Sequence, residues 1–190
     1  MSVTIHPADA GRWGDLETLF ESASATRNCW CMWWRIAGNG WRETTKASRR
    51  ADLRALTGGA IAPGLLAYDG GTPVGWIQVT PRSAVPRFNA GRTGKPEAGA
   101  DPDKVWVLTC FFTAESHRQQ GLMEALARAA CTFAAEHGAT AVEAAPLTSG
   151  RALQWSDGYV GLPGPLQRAG FETVAARGKA RALMRWEPPK

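Results

Sequence analysis

The sequence predicts an α/β fold in which a mixed sheet carries helices on both faces. Three observations lead there. Residues 105–112 form a nearly continuous apolar run, the pattern of a strand buried on both sides. A helical stripe at 118–138 comes next and returns to a second apolar run at 141–145, which makes a βαβ unit. Upstream, Asp69-Gly70-Gly71-Thr72 joins two apolar segments with strong hairpin chemistry.

Each element has its own signal. Residues 2–6 alternate Val3 and Ile5 and stop at Pro7, a short strand. Residues 9–25 place Trp13, Leu16, Leu19 and Phe20 at helical spacing. Four of the nine tryptophans then fall between Trp30 and Trp41, and Trp30, Trp33 and Trp34 would share one face of a helix. Residues 43–56 are good helix formers with a basic face of Lys46, Arg49, Arg50 and Arg54, closed by Gly58-Gly59. The hairpin strands are 65–68 and 73–80, and residues 81–104, with four prolines, read as one long loop. In the helix at 118–138, Leu122, Leu126, Ala129, Ala130 and Phe133 make the apolar stripe and Gly138 is the stop. Residues 147–164 are loop-like, 165–169 start a short helix, and 171–176 and 181–186 are two last strands. That makes about seven strands, read as one domain over residues 1–190.

Composition narrows the class. A 44% hydrophobic, 21% charged chain of 190 residues has enough apolar material for a core. No apolar run approaches the roughly 20 residues that span a bilayer, and the start lacks the pattern of a secretory leader, so a cytoplasmic protein with no membrane partner is expected. The net charge of +5 and pI near 9.3 suit nucleic acid or a polyanionic cofactor alike. Cys29 and Cys31 form a C-x-C pair with no second pair, and His6, His117 and His137 offer no matching spacing, so no metal site is expected and the four thiols are read as free. Cys110 and Cys131 fall on apolar elements and read as small buried hydrophobes.

The chemistry concentrates where the strand at 105–112 runs through a short loop into Arg118-Gln119-Gln120-Gly121. The first amides of a helix lack intrahelical acceptors, the helix dipole is positive there, and Arg118 adds a permanent charge. Such a site suits a phosphate or pyrophosphate. Gly121 either lets a ligand approach the backbone or permits close helix–sheet packing.

Here the chain resembles the GNAT superfamily, the acyl-CoA-dependent N-acyltransferases. Arg118-Gln119-Gln120-Gly121-Leu122-Met123 is similar to its Arg/Gln-x-x-Gly-x-Gly/Ala signature, with Met123 in the last position. Leu166-Gln167-Arg168-Ala169-Gly170-Phe171 matches the aromatic-x-x-x-Gly-Phe segment in its Gly-Phe, with Leu166 at the aromatic position. The resemblance implies a splayed sheet and acetyl-CoA as acyl donor. The amides of Gln119, Gln120, Gly121, Leu122, Met123 and Glu124 then hold the pyrophosphate, with Arg118 beside them. The strand edge at Phe111, Phe112 and Thr113 pairs with the pantetheine arm, and an amide there polarises the thioester carbonyl. The acyl group passes directly to a primary amine of a small or antibiotic-like molecule in a ternary complex.

Two family features are missing. The strand at 105–113 has no carboxylate to act as base, and Leu166 stands where a tyrosine would protonate the thiolate. Tyr159 is a substitute acid, or a loop tyrosine anchored by a hydrogen bond. Glu143, in a buried strand, either takes up the substrate ammonium or its proton, or forms a structural ion pair with an arginine. Glu115 and His117 read as capping or solvated residues, with a base role for His117 as the alternative. The segment after the first helix lines the acceptor side in the family, which makes Trp30, Cys31 and Trp34 candidate substrate contacts; packing of the early helices explains the same pattern. Arg35 and the basic face of Lys46, Arg49, Arg50 and Arg54 read as solvated, with attraction of CoA or of an acid as the alternative. The alternatives to a small-amine enzyme are a non-catalytic acyl-CoA sensor and an acyltransferase acting on aminoacyl-tRNA or protein amines. A monomer or a homodimer fits equally.

Overall fold

The computed structural model describes residues 3–148, 157–178 and 180–189. Its elements are β1 (Val3–Pro7), α1 (Trp13–Glu21), α2 (Ser24–Cys29), α3 (Lys46–Thr57), β2 (Gly64–Asp69), β3 (Thr72–Pro81), α4 (Pro86–Ala90), β4 (Val105–Thr113), α5 (Leu122–Glu136), β5 (Ala141–Ala144), α6 (Pro163–Arg168), β6 (Glu172–Ala176) and β7 (Ala182–Trp186). The seven strands form one sheet in the order β1-β2-β3-β4-β5-β7-β6. All neighbours are antiparallel except β4 and β5, which the α5 crossover makes parallel.

The sheet opens in its middle. β4 pairs with β5 only from Val105↔Ala141 to Leu108↔Ala144, while β4 itself continues to Thr113. On its other side the register jumps from Gln78↔Cys110 to Val79↔Leu108, so Thr109 is the extra residue of a bulge. A bulge bends its strand and re-aims the residues beyond it. From Thr109 to Thr113, β4 has no strand partner toward β5 among the described residues.

One face of the sheet packs on α5 and α6. Leu65, Ala67, Ile77, Val79, Trp106, Leu108 and Phe111 meet Leu122, Leu126, Ala130, Phe133 and Leu166 in one apolar cluster. The α5 residues recur at intervals of three and four, which is why this segment is a helix and why that side is buried. A Cβ on Gly75 would stand 2.9 Å from Leu122 Cδ2, so this glycine of β3 lets α5 settle onto the sheet.

The opposite face packs on α1, α2 and α3. Trp13, Leu16, Phe20, Trp30 and Leu53 cover Leu66, Tyr68, Trp76 and Phe112. The segment at 9–25 extends further than one helix: Ala23 is extended and starts α2, with Thr26 Oγ1 donating to Phe20 O at 2.6 Å. The expected helical face of Trp30, Trp33 and Trp34 does not form. Trp30 and Cys31 both have φ near +50°, which ends α2 and turns the three indoles in different directions. Arg49 is buried instead of solvated, donating to Asn28 O and Thr44 O and lying over the Trp41 ring.

The stretch at 81–104 is more than a loop. It contains a 3₁₀ turn (Arg82–Ala84) and α4, whose Pro86 sets the first helical turn. From this turn Arg82, fully buried, reaches Glu143 on β5 and also donates to Asn89 Oδ1 and Gly94 O.

Candidate active site

α5 begins at Gly121, whose φ of +82° is a left-handed conformation that favours glycine. No side chain caps this end, so the first amides of α5 point outward without an intrahelical acceptor. A Cβ built on Gly121 would meet nothing within 4 Å. Close helix–sheet packing is therefore not what requires this glycine; the backbone turn is. Gln119, with φ +60°, adopts the same hand just before it.

In front of these amides lies a cleft of about 510 Å³. Of the residues expected to hold the donor, Phe111, Phe112, Thr113, Arg118, Gln119, Gly121, Leu122, Met123 and Glu124 line it, and Gln120 does not. Gln120 instead donates from Nε2 to Ser116 O at 2.8 Å. Met123 packs against the α5-face core, which leaves its amide at the helix start in the cleft wall. A cleft with outward amides, an arginine and an unpaired strand edge fits a long ligand with an anionic group at one end and amides along its arm.

The remaining wall comes from the segment entering α6. Gly158, Tyr159, Leu162, Pro165 and Arg168 face the helix start across the cleft. Arg168 Nε donates to Glu124 Oε2 at 2.6 Å, and Arg128 holds the other oxygen. The Arg168 hydrogen bond leads in holding the Glu124 carboxyl below its ordinary pKa, so its negative charge is compensated beside the start of α5. His117, expected to be solvated or capping, lines the cleft, with Nε2 3.1 Å from Asp69 Oδ2 and Nδ1 2.8 Å from Ser116 Oγ. Leu166 is wholly buried under this wall, and Tyr159, half-buried, lines the cleft. Burial first, and the Cys110 thiol second, push the Tyr159 pKa up.

The α1–α3 side of β4 holds a group of sulfurs. Cys31 Sγ stands 2.8 Å from Cys110 Sγ, joining the loop after α2 to the strand that forms the cleft wall. Burial raises the Cys29 thiol to about 11 and holds Cys31 protonated as well. Gln78 lies beneath, donating its amide to Cys31 O at 2.8 Å and accepting from Arg35 Nε at 3.2 Å. Of the acceptor-side candidates, the structure sends Trp30 into the core, where it stacks on Trp13 at 5.9 Å. Trp34 lies against Phe88 near Val107 and Ala145. None of Trp30, Cys31 and Trp34 lines the 510 Å³ cleft.

Glu143 is also away from that cleft. Oε2 accepts from Arg82 and Oε1 from Arg185, whose Nε lies 3.0 Å away. Two guanidinium groups hold its lone pairs, so its chemistry is that of an ion-pair anchor rather than of a base. No group of His, Cys, Asp and Glu among the described residues is placed to hold a metal ion, and none of their helices is long and apolar enough to cross a membrane.

Sequence reasoning missed Arg168, His117 and the Arg35–Gln78 contact. The first was within reach, since an arginine in the last turn of a short helix beside an anion site is a readable signal. The contact of Arg35 with a strand residue more than forty positions away left no local trace.

The profile of the acetyltransferase (GNAT) family matches residues 26–153. No curated protein sequence matches the chain. Several solved structures share the fold. Ard1 from Thermoplasma volcanium is similar at 15% identity with a TM-score of 0.54, covering 100% of both chains. An aminoglycoside acetyltransferase, AAC(6')-Ib, in complex with coenzyme A is similar at 19% identity and TM-score 0.56, covering 98% of this chain and 95% of that one. The GNAT domain of S. lividans PAT is similar at 14% identity and TM-score 0.57, covering 98% and 90%.

Proposed function

Since the chain belongs to the acetyltransferase (GNAT) family, we propose that it moves an acetyl group from acetyl-CoA directly to a primary amine of a small molecule in a ternary complex. The observation that carries this reading is the left-handed Gly121 opening α5 beside the edge of β4 that has no strand partner toward β5 among the described residues. Acetyl-CoA supplies an activated thioester.

The amides of Leu122, Met123 and Glu124 donate to the pyrophosphate, and Arg118 adds its charge from the rim. The free edge of β4 at Phe111–Thr113 offers peptide groups to the amide-bearing arm. An amide of Phe111 or Phe112 donates to the thioester oxygen as negative charge grows there, the most productive place for a fixed dipole. Tyr159 keeps its proton at neutral pH, because burial raises its pKa, and gives it to the departing thiolate. Glu124 is the one carboxylate on the cleft wall among the described residues, and Arg168 and Arg128 occupy it. The acceptor therefore loses its ammonium proton to water rather than to a side-chain carboxylate. Glu143 serves by fixing β5 to β7 and to the Arg82 turn at the point where the sheet opens.

A thermal melt followed by tryptophan fluorescence tests the reading. Acetyl-CoA at a hundredfold over its Kd is expected to stabilise the fold by about 2.7 kcal/mol, a rise of a few degrees in Tm. Gly121→Glu is expected to abolish that rise, since it puts a carboxylate and a disfavoured φ at the anion site. No rise at millimolar acetyl-CoA would overturn the proposal.

A further inference from the structure

Cys31 and Cys110 are 79 residues apart in the chain, and their sulfurs stand 2.8 Å apart. Two features hold this contact. Gln78 is the first. Its side-chain amide donates to Cys31 O at 2.8 Å, and its backbone is the β3 partner of Cys110. One residue of β3 thus ties both cysteines. The second is the turn at the end of α2, where Trp30 and Cys31 both take φ of 50°. Neither is a glycine, and a left-handed backbone at such residues is costly and persists only where the surroundings fix it. The turn ends α2 and leaves Cys31 against β4.

The two thiols have complementary settings. Cys31 is 2% exposed and Cys110 is half-buried, so a small solute meets Cys110 first. Cys29, the last residue of α2, is a third thiol nearby, but burial raises it to about 11, which leaves it a poor nucleophile. Cys131 lies across the sheet in the apolar cluster beneath α5. Cys110 follows the Thr109 bulge and precedes Phe111, and it packs in one cluster with Phe112 and Tyr159. Phe111, Phe112 and Tyr159 all line the cleft. A change at the Cys110 sulfur is therefore felt where β4 forms the cleft wall.

We propose that Cys31 and Cys110 form a reversible oxidation site, closed to a disulfide by a peroxide and reopened by a dithiol, and that closure loosens the hold of the cleft on acetyl-CoA. The Cys110 thiolate attacks one peroxide oxygen. The O–O bond breaks, Cys110 becomes a sulfenic acid, and the released hydroxide takes up the thiol proton as water. Cys31 then attacks the Cys110 sulfur. The S–S bond forms, the S–O bond breaks, and the leaving hydroxide carries off the Cys31 proton as a second water. The two thiols lose two electrons and the peroxide gains them; a dithiol returns two electrons and two protons. Closure draws β4 toward the loop after α2 at the residue before Phe111, which disturbs the edge at Phe111–Thr113 that offers peptide groups to the donor arm. The oxidation site stands on its own, and its effect on the donor rests on the acetyltransferase reading.

The test treats the reduced full chain with hydrogen peroxide, alkylates the remaining thiols and maps tryptic peptides without reduction. Trypsin leaves Cys29 and Cys31 together in residues 28–35 and Cys110 in residues 105–118. The expected product links these two peptides, with the alkyl group on Cys29 located by fragmentation, and dithiothreitol releases them. Cys29→Ser is expected to keep the link and Cys31→Ser to lose it. Calorimetric titration with acetyl-CoA is expected to show a Kd about 5- to 30-fold weaker in the linked protein, the range of one or two lost hydrogen bonds. Dithiothreitol should restore the Kd; it does not reverse methionine oxidation, so the recovered part belongs to the disulfide. A link through Cys29, no linked peptides, or a linked protein with the Kd of the reduced one would each overturn the proposal. The wild-type map decides even if Cys31→Ser does not fold. Reduced protein that fails to bind acetyl-CoA would instead remove the acetyltransferase reading, and the peptide map would still decide the oxidation site.

Discussion

The two faces of the sheet are built by different means. Toward α5 the buried residues of β2, β3 and β4 are apolar, and their fit to the helix is steric, down to the missing side chain at Gly75. On the other face β3 buries Gln78, β4 and the loop after α2 bring a sulfur pair among the aromatics, and β5 buries Glu143, with Arg35 and Arg82 reaching in. Neighbouring residues of β4 divide between the two, Phe111 on one side and Cys110 and Phe112 on the other. One face is a foundation. The other carries charge, and its buried carboxylate and amide are paired, while the indole N–H groups of Trp30 and Trp76 have no hydrogen-bond partner among the described residues.

The contrast is tested hardest at Glu143. Its carboxylate and Arg82 are each 1% exposed, so removing one strands the other. Glu143→Ala is expected to destabilise the fold by about 3–5 kcal/mol, read as the midpoint of urea unfolding. A loss below about 1 kcal/mol, the size of an exposed pair, would mean that Glu143 is not anchoring this face. Tyr159→Phe is the next largest effect and should separate chemistry from folding. A drop of about a hundredfold in kcat, or about 2.7 kcal/mol, is expected with little change in Tm. An acid must be protonated to act, so activity falls as pH rises through its pKa. Because burial raises that pKa, the wild-type fall is expected above the ordinary tyrosine value near 10, and Tyr159→Phe should lack it. The smallest effect probes the apolar side. Gly75→Ala pushes a methyl toward Leu122 and Leu126 and is expected to cost about 1–3 kcal/mol, with acetyl-CoA binding weakened because α5 shifts.

The same division governs what could be read from the sequence. β4, α5 and β5 were legible because period, stop glycine and apolar runs are local properties, and the fold is built on them. The helix start at Gly121 was legible for the same reason, since it is a few consecutive residues. The α1–α3 face was not. The turn at Trp30 depends on a left-handed tryptophan that no propensity favours. Cys31 and Cys110 are 79 residues apart, and Arg82 and Glu143 are 61 apart, so neither contact leaves a pattern within a window. The long loop hid Arg82 because proline content signals irregular backbone and says nothing of where one side chain goes. Glu143 showed itself as a buried carboxylate, but its two arginines appeared only in three dimensions.

Among the described residues, β4 from Thr109 to Thr113 has no strand partner toward β5. An unpaired edge at the rim of a sheet is open to another chain. This one lies in the middle of the sheet, whose rims are β1 and β6, with the turn at Asp157–Val160 packed against it, so it is screened from that kind of pairing.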